Sequence, residues 1–293
     1  MRRRAILYQL ASIAAVAAAV LWLAANTVDN LKLRGIPSGF DFLLEPAGFD
    51  IGDSLFVLAS GAPYWQALAA GLANTLRVAL PGIALTAVLG TALGLGRLSR
   101  NSLLARLCGA YVELFRNIPL LLQLLAWYFV LTDFLPAADE ASRAGAWLAL
   151  SKSGLELDGV SLTPEYLAVL AGLVFYSAAY LAETVRAGLL SVPAGQPQAA
   201  AALGLTPRQA QHHVVLPQAL RLILPPATNQ FLALTKNSSL AIAVGYPDLV
   251  SVANTTLNQS GRALECVSLI LLVYLTLSLA TALLMRRIER RWT

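Results

Sequence analysis

Six apolar stretches recur along this chain, each about as long as the roughly 20 helical residues needed to cross the hydrocarbon core of a bilayer. They lie near residues 5–25, 71–95, 107–135, 166–190, 224–246 and 264–285. Of all residues, 57% are hydrophobic and 13% charged, at a mean hydropathy of +0.65. Soluble domains carry roughly 25% charged residues, and a soluble core of this size could not hide so much apolar surface. The expected fold class is therefore an all-α polytopic membrane protein with about six transmembrane helices, since a helix satisfies its backbone groups internally where lipid cannot. The first stretch is too long for the roughly 7–15-residue core of a signal peptide. It reads as an extra N-terminal helix preceded by Arg2, Arg3 and Arg4.

Six crossings put both termini on one side, and the basic residues choose which. Arg97, Arg100, Arg106, Arg186, Arg208 and Arg221 fall on the same side as the N-terminal arginines and as Arg286, Arg287, Arg290 and Arg291. Lys32, Arg34, Arg143, Lys152 and Arg262 fall on the other. Most acids prefer that second side, among them Asp41, Glu45, Asp50, Asp53, Asp139, Glu140, Asp158 and Asp248, with Glu289 an exception. Both termini are thus expected in the cytoplasm. A sequence pI near 9.4 follows from this topology rather than from one basic patch, which argues against a nucleic-acid partner.

The first outer loop, residues 27–66, is long and carries the spaced aromatics Phe40, Phe42, Phe49 and Phe56. It is expected to lie on the membrane surface as short interfacial segments. The second, residues 137–164, is polar with a short apolar run at 146–150. No Gly-rich phosphate loop of the G-x-x-x-x-G-K-[ST] type occurs, so the chain does not hydrolyse a nucleotide by that route. Cys108 and Cys266 lie in or beside apolar stretches without metal spacing, and are expected to be buried small hydrophobes.

One polar break interrupts the pattern at residues 195–226, GQPQAAAALGLTPRQAQHHVVLPQALRLILPP. Gln198, Ala199, Ala200, Ala201 and Ala202 favour a slim helix. Gly204 marks a corner, Thr206 is a sound N-cap and Pro207 suits the first helical position. The second helix is expected to stop near Val215, ahead of Pro217. Two short helices at an angle form a protrusion whose small residues let a soluble partner approach the backbone. A plain amphipathic interfacial loop is the alternative. His212 and His213 are adjacent, so they point to different faces and do not suggest a metal site.

The spacing within this break resembles the cytoplasmic EAA loop of ATP-binding-cassette importer permeases. Gln198-Ala199-Ala200 is followed by Gly204, Val214 and Leu216-Pro217 at the family's intervals. Gln198 stands where the family has Glu, and Val214 where it has Ile. The resemblance extends to NTLRVALPGIALTAVLGTALG at 74–94, ELFRNIPLLLQL at 113–124, AYLAETVRAGLLSVPAGQ at 179–196, LPQALRLILPPATNQF at 216–231 and TKNSSLA at 235–241. These words resemble permeases of the polar amino-acid uptake family, and the long first loop resembles the subgroup serving general L-amino-acid importers. The resemblance implies a type I importer (MetI-like) permease core of five helices over residues 71–290, with a coupling loop at 194–217. Residues 1–70 then supply the extra N-terminal helix and the long first periplasmic loop.

Several charges fall inside the apolar stretches: Arg77, Glu113, Arg116, Glu183 and Lys236. Deep charges cost about 2.5–3.5 kcal/mol on insertion scales and mark function by default. Lys236 sits in the polar run Thr235-Lys236-Asn237-Ser238-Ser239, which wraps a whole helical turn. Lys236, Asn237, Ser238, Glu113 and Arg116 are candidates for a substrate path, with an ammonium to hold a substrate carboxylate and a carboxylate to hold an ammonium. Structural pairing with other helices is the alternative. Arg116-Asn117-Ile118-Pro119 is expected to break the third stretch, and Glu183 and Arg186 to pair at i,i+3.

The resemblance implies the function of a non-catalytic permease subunit of an ATP-driven amino-acid importer, set in a bacterial inner membrane. It would bind no cofactor itself, with ATP and magnesium held by a partner ATPase dimer gripping Gln198, Ala199, Ala200, Gly204, Val214, Leu216 and Pro217. A second permease chain, a periplasmic amino-acid-binding protein and membrane lipid complete the expected partners. Two rival classes are an ion-gradient-driven secondary transporter, which needs no docking loop and often shows inverted repeats, and a non-transporting membrane scaffold.

Overall fold

A computed structural model of the chain describes all residues except 1, 37, 56–57, 60, 144–147, 159 and 292–293. Phe56 and the start of the apolar run at 146–150 therefore lie outside the described residues. The chain is mainly helical. Helix α1 spans Arg2–Leu33, α2 Tyr64–Arg97, α3 Ser102–Asn117, α4 Leu120–Asp133, α5 Pro164–Leu190, α6 Gly195–Ala202, α7 Pro207–Ala210, α8 Leu216–Asn237, α9 Leu249–Ser260 and α10 Ala263–Glu289. Four of these are long and apolar enough to cross a membrane, or five if the bent α3–α4 pair counts as one crossing.

α2 and α5 run side by side in the same direction, and glycine decides how closely. A Cβ at Gly90 would sit 2.8 Å from Leu181 Cβ, and one at Gly94 2.8 Å from the Ala182 carbonyl oxygen. Helices in lipid associate through such close packing rather than through hydrophobic exclusion. α8 crosses back against α5, with Gly188 facing Ile223, and Met285 of α10 joins Val185, Ala219 and Ile223 in one buried cluster. Pro81 lies inside α2 and has no N–H for the Arg77 carbonyl, four residues back. The Tyr166 hydroxyl donates to that carbonyl at 3.3 Å, so the gap in the ladder is filled from α5.

The expected break at Pro119 is present: α3 and α4 meet at 106°. Gln123 Nε2 donates to the carbonyls of Phe115 at 2.8 Å and Ile118 at 2.9 Å, capping groups that the break leaves open. Cys108 and Cys266 are buried and unbridged.

The fifth apolar stretch departs from expectation. Instead of one helix over 224–246, α8 gives way at Ser238 to a 3-10 turn, Ser238–Val244, which ends at Gly245 in the left-handed region (φ +79°). Ser238 Oγ donates to the Thr235 carbonyl and Ser239 Oγ to that of Lys236, both at 2.8 Å. These local bonds compete with the α ladder. α9 follows as an additional, unforeseen short helix. Asp248 caps it by accepting from Ser251 N at 2.9 Å, and Thr75 Oγ1 accepts from Leu249 N at 3.1 Å.

Two loops are also more ordered than the sequence suggested. Four short strands, β1 Ser142–Arg143, β2 Leu148–Ser151, β3 Gly154–Leu157 and β4 Val160–Leu162, form an antiparallel meander, so the chain is not purely α-helical. Leu150 pairs with Leu155 and Leu155 with Leu162. In the loop after α1, the segment from Phe42 to Ile51 folds onto the ends of α2, α9 and α10. Phe42 is fully buried beside Tyr64, ring centroids 5.7 Å apart, and Glu265 Oε1 accepts from Gly39 N at 2.6 Å. α1 is exposed along almost its whole described length.

The packing sorts the molecule into two ends. Arg97, Arg186, Arg221 and the arginines closing α10 share one end with the corner between α5 and α8. The first outer loop, the sheet and α9 share the other.

Candidate functional site

At the arginine-rich end the break between α5 and α8 is a rigid corner, and local rules account for its shape. α6 closes at Gly204 (φ +81°), with Leu205 N donating to the Ala200 carbonyl at 3.1 Å and Gly204 N to that of Ala201 at 3.0 Å. This is a glycine-terminated helix end that satisfies the last carbonyls. Thr206 and Gln209 then form a reciprocal capping box, with Gln209 Oε1 accepting from Thr206 N at 2.8 Å. Gln218 Nε2 donates to Gln196 Oε1 at 3.2 Å, tying α8 to the start of α6.

The second helix does not stop at Val215. α7 passes through a π-helical turn, Gln211–Val215, directly into α8, and Leu216 N reaches back to the Gln211 carbonyl. In a regular α-helix the Pro217 ring would strike the carbonyl of residue 213. The wider π turn makes room for it, so Pro217 begins a helix rather than ending one.

The seven residues proposed from sequence divide by role. Ala200 is buried, Val214, Leu216 and Pro217 are half-buried, and Gln198, Ala199 and Gly204 are exposed. The first four hold the corner; the last three are presented outward. Leu203, which the sequence motif did not single out, is 83% exposed at the tip. Its signal was present in the sequence: a large apolar residue directly before a helix-ending glycine.

Beside the corner an open cleft of about 350 Å³ separates α3 from α5, lined by Arg97, Glu113, Arg116, Asn117, Tyr180 and Glu183. It adjoins a second hollow of about 440 Å³ that Arg116, Tyr180 and Glu183 share with Leu222, Pro226 and Gln230 of α8. Glu183 is paired with Arg97 and with Arg186, whose Nε lies 3.1 Å from Oε1, so its charge is matched locally. The Arg116 guanidinium stacks over Tyr180 at 5.0 Å. Neither Arg116 nor Glu113 belongs to an ion pair among the described residues. The cleft therefore offers one available charge of each sign within one helical turn.

The five candidate path residues do not all meet. Glu113 and Arg116 share the cleft. Lys236 is exposed, Asn237 half-buried and Ser238 buried. Lys236 lies six residues beyond Gln230, about 9 Å further along α8. It nevertheless continues the exposed stripe of that helix through Leu222, Pro226 and Asn229. Arg77 is accounted for structurally: it pairs with Asp53 at 2.6 Å and lies over the Tyr166 ring at 4.7 Å. Asp53 also accepts from Thr163 Oγ1 at 2.7 Å, pinning the first outer loop to α2 and α5.

Asp248 at the opposite end is wholly buried. Burial pushes its carboxyl up from 3.8 to about 6, against the opposing hydrogen bonds from Ser251, Val250 and Tyr274. The fold thus favours the protonated form, and stability should fall as pH rises from about 4 to about 6. Asp248→Asn keeps a side-chain oxygen for the cap and removes the charge. It should gain on the order of 1–3 kcal/mol over the parent above pH 6 and nothing below pH 4. Thermal unfolding in detergent between pH 4 and 8 checks this; parallel curves for the two proteins would refute it.

Comparison with known proteins follows the same lines. A family profile described as "Binding-protein-dependent transport system inner membrane component" matches residues 86–293. The chain is 38% identical to the "General L-amino acid transport system permease protein AapQ" of Rhizobium johnstonii, over 96% of this chain and 90% of that protein. It is 33% identical to the "Glutamate/glutamine/aspartate/asparagine transport system permease protein BztB" of Rhodobacter capsulatus, over 97% of this chain and 92% of that one. Among solved structures it resembles a chain of an "amino acid ABC transporter with histidines", with a TM-score of 0.62, 28% identity and coverage of 78% of this chain and 95% of that chain.

Proposed function

The chain belongs to the family of inner membrane components of binding-protein-dependent transport systems, and from that premise we propose that it is the permease subunit of an ATP-driven importer of L-amino acids. The observation that carries the reading is the corner at Gly195–Ala202 and Pro207–Ala210, a preformed protrusion at the arginine-rich end. That end faces the cytoplasm in this reading, with both termini there. An ATPase dimer, which alone holds ATP and magnesium, grips Gln198, Ala199, Gly204 and the tip at Leu203. A periplasmic binding protein delivers substrate to the opposite end, and a second permease chain completes the path. Residues 1–70 act as an added helix and periplasmic loop, and residues 71–290 as the moving core, driven through the coupling loop 194–217.

Arg116 and Glu113 are the proposed polar hold on an amino acid near the cytoplasmic end, the guanidinium for its carboxylate and the carboxylate for its ammonium. Lys236 lines the path further out, on the exposed stripe of α8, with the half-buried Asn237 next to it and Ser238 buried behind them.

Reconstitution with the ATPase encoded beside it, and a panel of labelled amino acids, tests both parts. Uptake should need ATP and the ATPase. Arg116→Gln and Lys236→Met should each lower uptake at least tenfold while the ATPase still co-purifies, since each removes a charge-assisted contact. Uptake that persists without the ATPase would refute the importer reading. Full activity with an unchanged substrate range in both variants would refute the path.

A further inference from the structure

We propose that the arginine-rich end of α10 is a binding site for an anionic phospholipid of the surrounding bilayer, placed to act on α8. The inference takes from the permease reading only its membrane setting. Along α10 the residues Leu272, Leu275, Leu279 and Leu283 are each more than half exposed, spaced three or four apart on a single stripe. Two more steps of the same spacing reach Arg286 and Arg290, and Arg287 and Arg291 flank them. All four arginines are exposed, and none is in an ion pair among the described residues. The surface thus runs from about three turns of leucine into four guanidinium groups within two turns. That order matches a phospholipid: acyl chains along the leucines, a phosphodiester among the arginines, which bind phosphate in a bidentate fashion.

Charge argues for a lipid with net negative charge over a zwitterionic one. A choline or ethanolamine headgroup brings a cation into the same cluster. Glu289, the acid of this turn, is turned toward α8, where the Thr228 hydroxyl lies 2.9 Å from its Oε1 and equally 2.9 Å from the Leu224 carbonyl. One hydroxyl proton serves only one of these acceptors at a time. The arginine turn is therefore tied to α8 through Glu289 and Thr228, and α8 continues from the corner. A headgroup that fixes the arginine turn biases that contact.

The test uses the full complex with its ATPase in detergent, with phosphatidylglycerol added in steps and bound lipid counted by native mass spectrometry. Arg290→Gln/Arg291→Gln should weaken the tightest phosphatidylglycerol site about thirty-fold, from the contribution of two basic side chains near an anionic surface. Arg290→Lys/Arg291→Lys should stay within a few-fold of the parent. In nanodiscs, phosphatidylglycerol should raise the ATPase rate of the parent and of the Lys pair over phosphatidylcholine alone, and leave the Gln pair unchanged. Unaltered lipid affinity in the Gln pair would overturn the site. So would loss of the ATPase subunit at unchanged lipid count, which would mark the arginines as a protein contact. Absence of uptake in every lipid, with affinities as expected, would sink the permease reading and leave the lipid site standing.

Discussion

Leu203→Asp is expected to strip the ATPase from the complex and cut uptake by more than about tenfold, with the fold unharmed. The side chain is 83% exposed, so its replacement removes almost no intramolecular packing and stability should change by no more than about 0.5 kcal/mol. Its position is what gives the substitution force. The capped corner already fixes the backbone that carries this leucine, so docking orders little more than its side chain there, and seating that side chain in an apolar partner surface contributes about 1.5–3 kcal/mol. A carboxylate adds the penalty of burying an unpaired charge. Gln198→Glu supplies the comparison. It restores the acid that importer loops carry at this point and should hold or strengthen docking. The readouts are the ATPase-to-permease ratio after detergent purification and ATP-dependent uptake in proteoliposomes. A normal ratio for Leu203→Asp would show that the corner is not the docking surface.

Gly94→Leu should have the largest effect on the fold itself. The first added carbon would stand 2.8 Å from the Ala182 carbonyl oxygen and 2.8 Å from Val185 Cβ. The obstacle includes backbone, so the clash cannot be relieved by a rotamer change, and α2 must move away from α5. Overpacking costs about 1–3 kcal/mol when side chains can yield, and more is expected here. Arg97 and Glu183 would be drawn apart with the helices, opening the charged cleft. Gly109→Ala is the control. It lies in α3 with open space around its missing side chain and should gain up to about 1 kcal/mol from helix propensity alone. Thermal unfolding of the purified complex separates the two. Equal melting temperatures would mean that α2 and α5 do not pack as described.

What was legible in the sequence follows from how local each cause is. The apolar runs foretold α2, α5 and α10, and Pro119 foretold the break between α3 and α4. The corner was readable nearly to the residue, because Gly204, Thr206 and Pro207 act through neighbours within a turn. Pro217 misled, since a proline announces a missing hydrogen bond without saying whether the helix stops or widens. The 3-10 end of α8 escaped because its apolar content continues to Tyr246 while Ser238 and Ser239 rewrite the hydrogen bonding. α9 is too short and too polar to register as a crossing, although Asp248 and Gly261 (φ +70°) bracket it. The sheet left little notice: Lys152-Ser153 turns from β2 into β3, and only the glycine that follows it, Gly154 (φ +108°), marks the place in the sequence. In the cleft, Glu113 and Arg116 were recognisable as charges out of place. That Tyr180 and Glu183 complete their surroundings depends on how α3 meets α5, which no single segment encodes. Phe42 shows the same limit: its burial is decided by Tyr64 and the helix ends around it, not by its own loop.

The π turn at Gln211–Val215 has a mechanical consequence. Because it bridges Pro217 instead of yielding to it, helix runs unbroken from Pro207 to Asn237, a strut of about 45 Å at 1.5 Å per residue. A thrust delivered at its base travels along regular helix as far as Pro225 and Pro226, which sit inside α8 and supply no backbone N–H to the ladder. The joint in this drive shaft therefore lies at that proline pair, between the corner and Lys236, and not at the π turn.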